Sequence, residues 1–182
     1  VCDGATGLSK NNISDQHSNA FWFVDKFSKL LKNKFVSFDK LEFTLTNILR
    51  QIRNEFNLAS KELPSHRYAF PSASFVLVHI SRNDNIVQFG RLGDCKAYVK
   101  YNSGNVVDLF GKSKLDELDI TALSVKENSI LFKDTKQKNR ELMNSPDGYG
   151  SLAIDDISIG NFYNFFESKV INLREISSII LT

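Results

Sequence analysis

"ASFVLVHISRNDNIVQFGRLGDCKAYVKY" (73–101) decides how this chain folds. "ASFVLVHI" (73–80) is a β-branched and aromatic run with the length of a strand. "RND" (82–84) has the composition of a turn, and "NIVQFGRL" (85–92) reads as the next strand. "GD" (93–94) turns into "CKAYVKY" (95–101), and "NSGN" (102–105) turns into "VVDLF" (106–110). The pattern predicts a four-stranded antiparallel meander.

Upstream the period changes from two to between three and four. Ala20, Phe23, Val24, Phe27, Leu30 and Leu31 form a stripe that predicts an amphipathic helix over 15–33, with Ser14 or Asp15 as its cap. Leu41, Leu45, Ile48, Ile52 and Phe56 predict a second helix that begins near Ser37 or Asp39, and Pro64 and Pro71 bracket its exit. Downstream lies a polar, helical stretch to about Asn144, then the turn "SPDGYG" (145–150). Strands are expected in "SLAIDD" (151–156), "NFYNFFESKVI" (161–171) and "ISSIILT" (176–182). Two helices with one apolar stripe each must bury those stripes on a sheet, so the class is α+β, with helices layered on antiparallel sheet.

The 182 residues fit a single domain, 1–182, at 42% hydrophobic and 24% charged residues. Fifteen phenylalanines against one Met and one Trp make Phe the main core filler. A net charge of +2 gives no electrostatic case for nucleic acid, and "KDTKQKNR" (133–140) reads as a solvated face. No run reaches the roughly 18 apolar residues of a membrane span. Two cysteines, Cys2 and Cys95, make no disulfide framework and no zinc site, which points to a reducing, cytoplasmic setting.

The chemistry-bearing candidates lie at strand ends. In "VCDGATGL" (1–8), Asp3 follows an apolar pair and precedes Gly4. A carboxylate where a strand leaves the core calls for a positive partner, and Gly4 lets its own carbonyl approach the same ion. Mg²⁺ and Mn²⁺ favour such oxygen donors. The competing reading is an Asp-Gly turn with a solvated side chain. Asp94 likewise reads as a turn residue or as a second carboxylate at the sheet rim. His17, His66 and His79 lack ligand spacing, and adjacent Asp155 and Asp156 would point to opposite faces of a strand.

Taken in order, "VCDGATG", two long helices, "ASFVLVHI", "VQFGRLGDCKAYV" and "GNVVDL" resemble the type 2C, metal-dependent protein Ser/Thr phosphatases. "AFWFVDKFSKLL" (20–31) and "ELMNSPDGYGSL" (141–152) look like a divergent bacterial-type branch. The resemblance implies an antiparallel β-sandwich flanked by helix pairs, four layers αββα, with the metals in a cleft at one edge. It implies that Asp3 bridges two Mg²⁺ or Mn²⁺ ions, that the Gly4 carbonyl binds one, and that Asp94 helps hold a weaker third. It implies hydrolysis of phosphoserine and phosphothreonine in protein substrates by a metal-activated water. Arg140 and Asn144, near the flap-like "NSPDGYG" (144–150), are the candidates to meet substrate.

The departures are Ala5 and Thr6 in the first motif and Cys95-Lys96 where the family has Ser-Arg. The family's later metal aspartates and its first strands have no counterpart in the sequence. The expectation is therefore a fragment, inactive as given, whose open sheet edges favour self-association. The rival expectation is a catalytically inactive binding or regulatory module of the same fold.

Overall fold

The computed structural model describes residues 1–5, 13, 18–123 and 130–182. The proposed caps Ser14 and Asp15, together with Thr6 and His17, lie outside the described residues. Helix α1 (Asn19–Lys34) is capped by Ser18, whose Oγ accepts from the Phe21 N–H at 3.2 Å. Its buried stripe is Ala20, Phe23 and Phe27. Helix α2 (Leu41–Ala59), entered through a 3₁₀ turn at Phe38–Lys40, buries Leu41, Leu45, Ile48, Leu49, Ile52 and Phe56. A Lys26–Glu55 pair at 2.8 Å ties the two helices at the surface.

The strands form two antiparallel sheets. The first has the order β1 (Cys2–Ala5), β2 (Ser72–Ser81), β3 (Ile86–Leu92), β7 (Glu167–Asn172), with β6 (Leu152–Ala153) also paired to β2. The second has the order β5 (Val106–Asp108), β4 (Ala97–Tyr101), β8 (Ile176–Leu181). Successive side chains of β2 serve both faces. Phe75 and Leu77 pack under α1 and α2, while Val76 and Val78 pack between the sheets against Cys95, Ala97 and Val99. A central strand buried on both sides has to be apolar at nearly every position, which is what "SFVLV" shows.

Four expectations need correction. The meander breaks after β3, because β3 pairs with β2 and β7 whereas β4 pairs with β5 and β8. Gly93–Asp94 is thus a corner between sheets. Asp155 and Asp156 are not on a strand: Asp155 caps the short helix α5 (Asp156–Asn161), its carboxylate accepting from the Ser158 N–H. Residues 162–165 form a 3₁₀ turn, so the strand expected over 161–171 starts only at Glu167.

The fourth concerns the layers. Helices α3 (Lys114–Leu123) and α4 (Ile130–Glu141) pack on each other, and α4 packs on the 3₁₀ turn at Arg67–Ala69. Val106 and Ile180, on the face of the second sheet turned away from the first, stay exposed at 59% and 58%. The described residues build three layers, αββ, not four.

The corner depends on Gly93. Its φ is +89°, and a Cβ there would sit 2.2 Å from the Ser74 Oγ. Gly104 also has a positive φ, +92°, but nothing lies within 4 Å of its would-be Cβ. Gly93→Ala is therefore expected to cost about 3 kcal/mol or more, backbone strain plus steric overlap, against about 1 kcal/mol for Gly104→Ala. Urea unfolding of the two variants measures the difference, and equal losses would show that the corner yields freely.

Candidate metal centre

Asp3 and Asp94 reach the same serine from two directions. Asp3 pairs with Ser74 across the β1–β2 ladder. The Asp94 N–H donates to the Ser74 Oγ at 3.3 Å. Strand alternation decides which way Asp3 faces. Cys2 packs with the helix-side core, so Asp3, one residue on, belongs to the opposite face, where the chain crosses between sheets. Asp3 is exposed and Asp94 is half-buried, so both carboxylates have access to solvent.

Gly4 has two roles open to it. A Cβ at Gly4 would lie 2.9 Å from Val24 Cγ2 and 3.1 Å from the Ala20 carbonyl oxygen, so close packing on α1 alone calls for glycine. Val1 and Val76 exchange both backbone hydrogen bonds. Alternation along an antiparallel ladder then turns the Gly4 carbonyl away from β2, leaving it out of the β1–β2 pairing.

Cys95, next to Asp94 in sequence, feels the charge of both acids. Burial pushes its thiol up to about 11; the Asp94 charge adds to that, and the backbone N–H of Asp3 acts the other way. Burial likewise raises the Cys2 thiol to about 12. Lys96, which stands where the resembled family has arginine, points its Nζ at Asp108 and Asp116, at 3.9 and 3.7 Å. Across from it, Thr182 exchanges both backbone bonds with Lys96, so the end of β8 arrives at this corner too.

A cleft of about 260 Å³ opens beside the corner, lined by Gly93, Ser113 and Lys114 on one side and Gly148 to Gly150 on the other. The turn before it is held from inside. Asn144, with φ at +52° and 1% exposure, donates through Nδ2 to the Ser151 carbonyl and accepts from the Ser151 N–H. Its amide is spent inside the turn and faces no solvent. Arg140 sits half-buried near the end of α4 and is itself engaged within the fold.

Two arginines that the sequence reading did not single out hold this end of the molecule. Arg91, 1% exposed, pairs with Glu167 at 2.6 Å and donates to the Gly111 and Phe110 carbonyls. Arg67 donates to Asp155 Oδ1 at 3.1 Å and to the carbonyls of Glu141 and Met143. The available signal was a basic residue inside an otherwise apolar strand, "VQFGRL", which calls for a buried partner.

Among the described residues no group of three or more His, Cys, Asp or Glu side chains is placed to hold a metal ion. His79 takes no part, because its ring packs on Phe35 and Phe38 and its Nδ1 meets Gln88 Oε1 at 3.1 Å. Among the described residues no helix is long and apolar enough to cross a membrane.

No protein-family model matches the chain, and no curated protein sequence does. Among solved structures it is similar to the serine/threonine phosphatase Stp1 from Staphylococcus aureus, at a TM-score of 0.43 and 14% identity, over 99% of this chain and 57% of that one. The chain thus spans a little over half the length of that phosphatase chain. Likeness at that level leaves the chemistry to be argued from the residues themselves.

The thiol shifts carry a stability consequence. Both folded values lie above the ordinary value of 9.0, so unfolded thiols ionise first and the unfolded chain binds fewer protons as pH rises. This contribution is complete below pH 9 and is lost as pH climbs towards 11 and 12. Cys95→Ala is expected to flatten the decline in urea midpoint between pH 8.5 and 10.5 relative to the unmodified chain, and an unchanged slope would contradict the assignment.

Proposed function

We propose that the chain is a metal-dependent phosphatase-like domain acting on phosphoserine and phosphothreonine in proteins. One observation supports the reading: the backbones of Asp3 and Asp94, far apart in sequence, both lie against Ser74 at one edge of the sandwich. Sequence resemblance to the type 2C phosphatases supports it independently through the order of its motifs. Mg²⁺ or Mn²⁺ would be held by the Asp3 carboxylate, the Gly4 carbonyl and Asp94.

Divalent ions in such a position generate hydroxide from bound water and neutralise phosphoryl charge, which explains why no nucleophilic Ser or Cys is required. The chain's own part is to orient. Ser74 fixes the Asp94 backbone, Gly93 gives the corner its shape, and the Arg67 clamp with Asn144 sets the turn that walls the cleft. A phosphorylated segment of a partner protein would lie in that cleft, beside Lys114. The two free cysteines agree with a reducing, cytoplasmic setting, and the exposed sheet edges favour self-association.

A second reading is favoured by a specific observation. With no group of three or more His, Cys, Asp or Glu placed to hold a metal among the described residues, the domain also suits a catalytically inactive binding or regulatory module. Mg²⁺ surrenders its waters reluctantly, and a shell this sparse binds weakly.

Calorimetry with Mn²⁺ and a phosphopeptide turnover assay separate the readings. Residues 1–182 are expected to bind Mn²⁺ no tighter than about 0.1 mM and to show no turnover. Asp3→Asn, which keeps the shape and removes the charge, should abolish that binding, and Asp94→Asn should weaken it. Binding unchanged in Asp3→Asn would end the metal assignment. If a longer form of the chain supplies further carboxylates beyond Thr182, they would emerge beside Lys96. That form should then show Mn²⁺-dependent hydrolysis that Asp3→Asn reduces at least a hundredfold, about 3 kcal/mol.

A further inference from the structure

A second polar cavity, which shares no residue with the Asp3–Asp94 edge, lies between α2 and α5. It has a volume of about 370 Å³ and is lined by Arg50, Arg53, Asn54, Asp156, Ile159 and Gly160. Arg50, Arg53 and Asn54 stand at i, i+3 and i+4 on α2, so they present their polar ends on one helix face. The structure assigns to this cavity the binding of a phosphate group, free or carried as a monoester.

The cavity carries positive charge that the protein leaves largely unanswered. The guanidinium carbon of Arg53 lies over the Phe70 ring, 4.2 Å from its centroid. Its Nη1 is buried without a hydrogen-bond partner among the described residues. Buried donors are nearly always paired; with Nη1 closed to solvent, an incoming anion meets the guanidinium at its Nη2 edge, where partial desolvation strengthens the contact. The nearest acid, Asp156, stands 4.0 Å from Nη2 and is 89% exposed, so the pairing is loose and screened by solvent. No carboxylate among the described residues pairs with Arg50. The cavity therefore holds two guanidinium groups against one solvated carboxylate.

Guanidinium forks match the oxygens of phosphate in two-point contacts, which a halide or a single carboxylate satisfies less well. Asn54 adds an amide donor of the neutral kind that phosphate oxygens accept. On the α5 side Gly160 has nothing within 4 Å of its would-be Cβ, which leaves space for the ester substituent.

The test is a titration of the full chain with inorganic phosphate at pH 7.5 and constant ionic strength, followed through backbone amide and arginine Nε–Hε NMR signals. Sulfate, acetate and O-phosphoserine are titrated in parallel. Saturable shifts confined to Arg50, Arg53, Asn54, Ile159 and Gly160, with phosphate or O-phosphoserine binding at least fivefold tighter than acetate, are expected. Preference between those two ligands tells a free ion from a peptide-borne group. Arg53 also packs on Phe70, so its replacement risks the fold; the exposed positions Arg50 and Asp156 are the ones to vary. Arg50→Gln should weaken binding about tenfold, whereas Asp156→Asn, which removes the competing acid, should tighten it severalfold. Shifts spread over surface lysines, a linear response, or a midpoint that neither substitution moves by twofold would overturn the assignment. Loss of Mn²⁺ binding at Asp3 would leave it untouched.

Discussion

Every layer of this molecule depends on β2 being buried on both faces. Phe75 and Leu77 commit one face to α1 and α2, while Val76 and Val78 commit the other to the second sheet. Phe75 and Val76, buried to 2% and 1% exposure, are each worth about 1.5–3 kcal/mol, and the partly buried Leu77 and Val78 add less. Slipping β2 by one residue against its neighbours would exchange the two sets at once. The register is therefore fixed from two sides, and it in turn fixes where the residues paired with β2 must stand.

The corner after β3 is the second constraint, and it follows from the first. Once β2 and β3 fill the first sheet, with β7 on the far side of β3, the chain has no place beside β3 for a further strand. It must cross to the second sheet at once. Gly93 makes the crossing at positive φ with its backbone against Ser74, and Asp94 then donates to the same serine. Arg91 and Arg67 do comparable work where the backbone is irregular, since each supplies donors to carbonyls that no strand or helix pairs. The removal of either arginine would leave buried acceptors unpaired as well as lose an ion pair, which makes these positions costlier than their distance from any acid suggests.

The sequence made the regular parts legible and hid the connections. Both long helices were readable from stripes such as Leu41, Leu45, Ile48 and Ile52, because one buried face at a period near 3.6 leaves a clear trace. The individual strands were readable as well. Their partners were not: "GD" has the same composition in a hairpin as in a corner between sheets, and only the competition for the edge of β3 decides. "SLAIDD" misled for a similar reason. Its apolar start belongs to a two-residue strand, and Asp155 is a helix cap held by Arg67, a partner 88 residues away in sequence. Of the site, Asp3, Gly4 and Asp94 were visible as strand-end signals, whereas their common neighbour Ser74 was not, since a serine inside an apolar strand carries no mark of what it touches.

The opening strand shows why the candidate site depends on the core so directly. In "VCDGA" the side chains alternate, so Cys2 and Gly4 face α1 while Asp3 faces the corner. Gly4 is held to within van der Waals contact of Val24 and Ala20, a fit that no other residue permits without displacing the helix. Asp3 sits between two positions that the helix-side core has already fixed. It therefore reaches the edge of the sandwich with its orientation set before any ligand arrives, as charge stabilisation by a metal or a phosphoryl group requires. A shift of one residue in β1 would bury the carboxylate against α1 and expose Cys2 in its place. Packing that looks purely structural is thus what aims the one exposed acid of the strand.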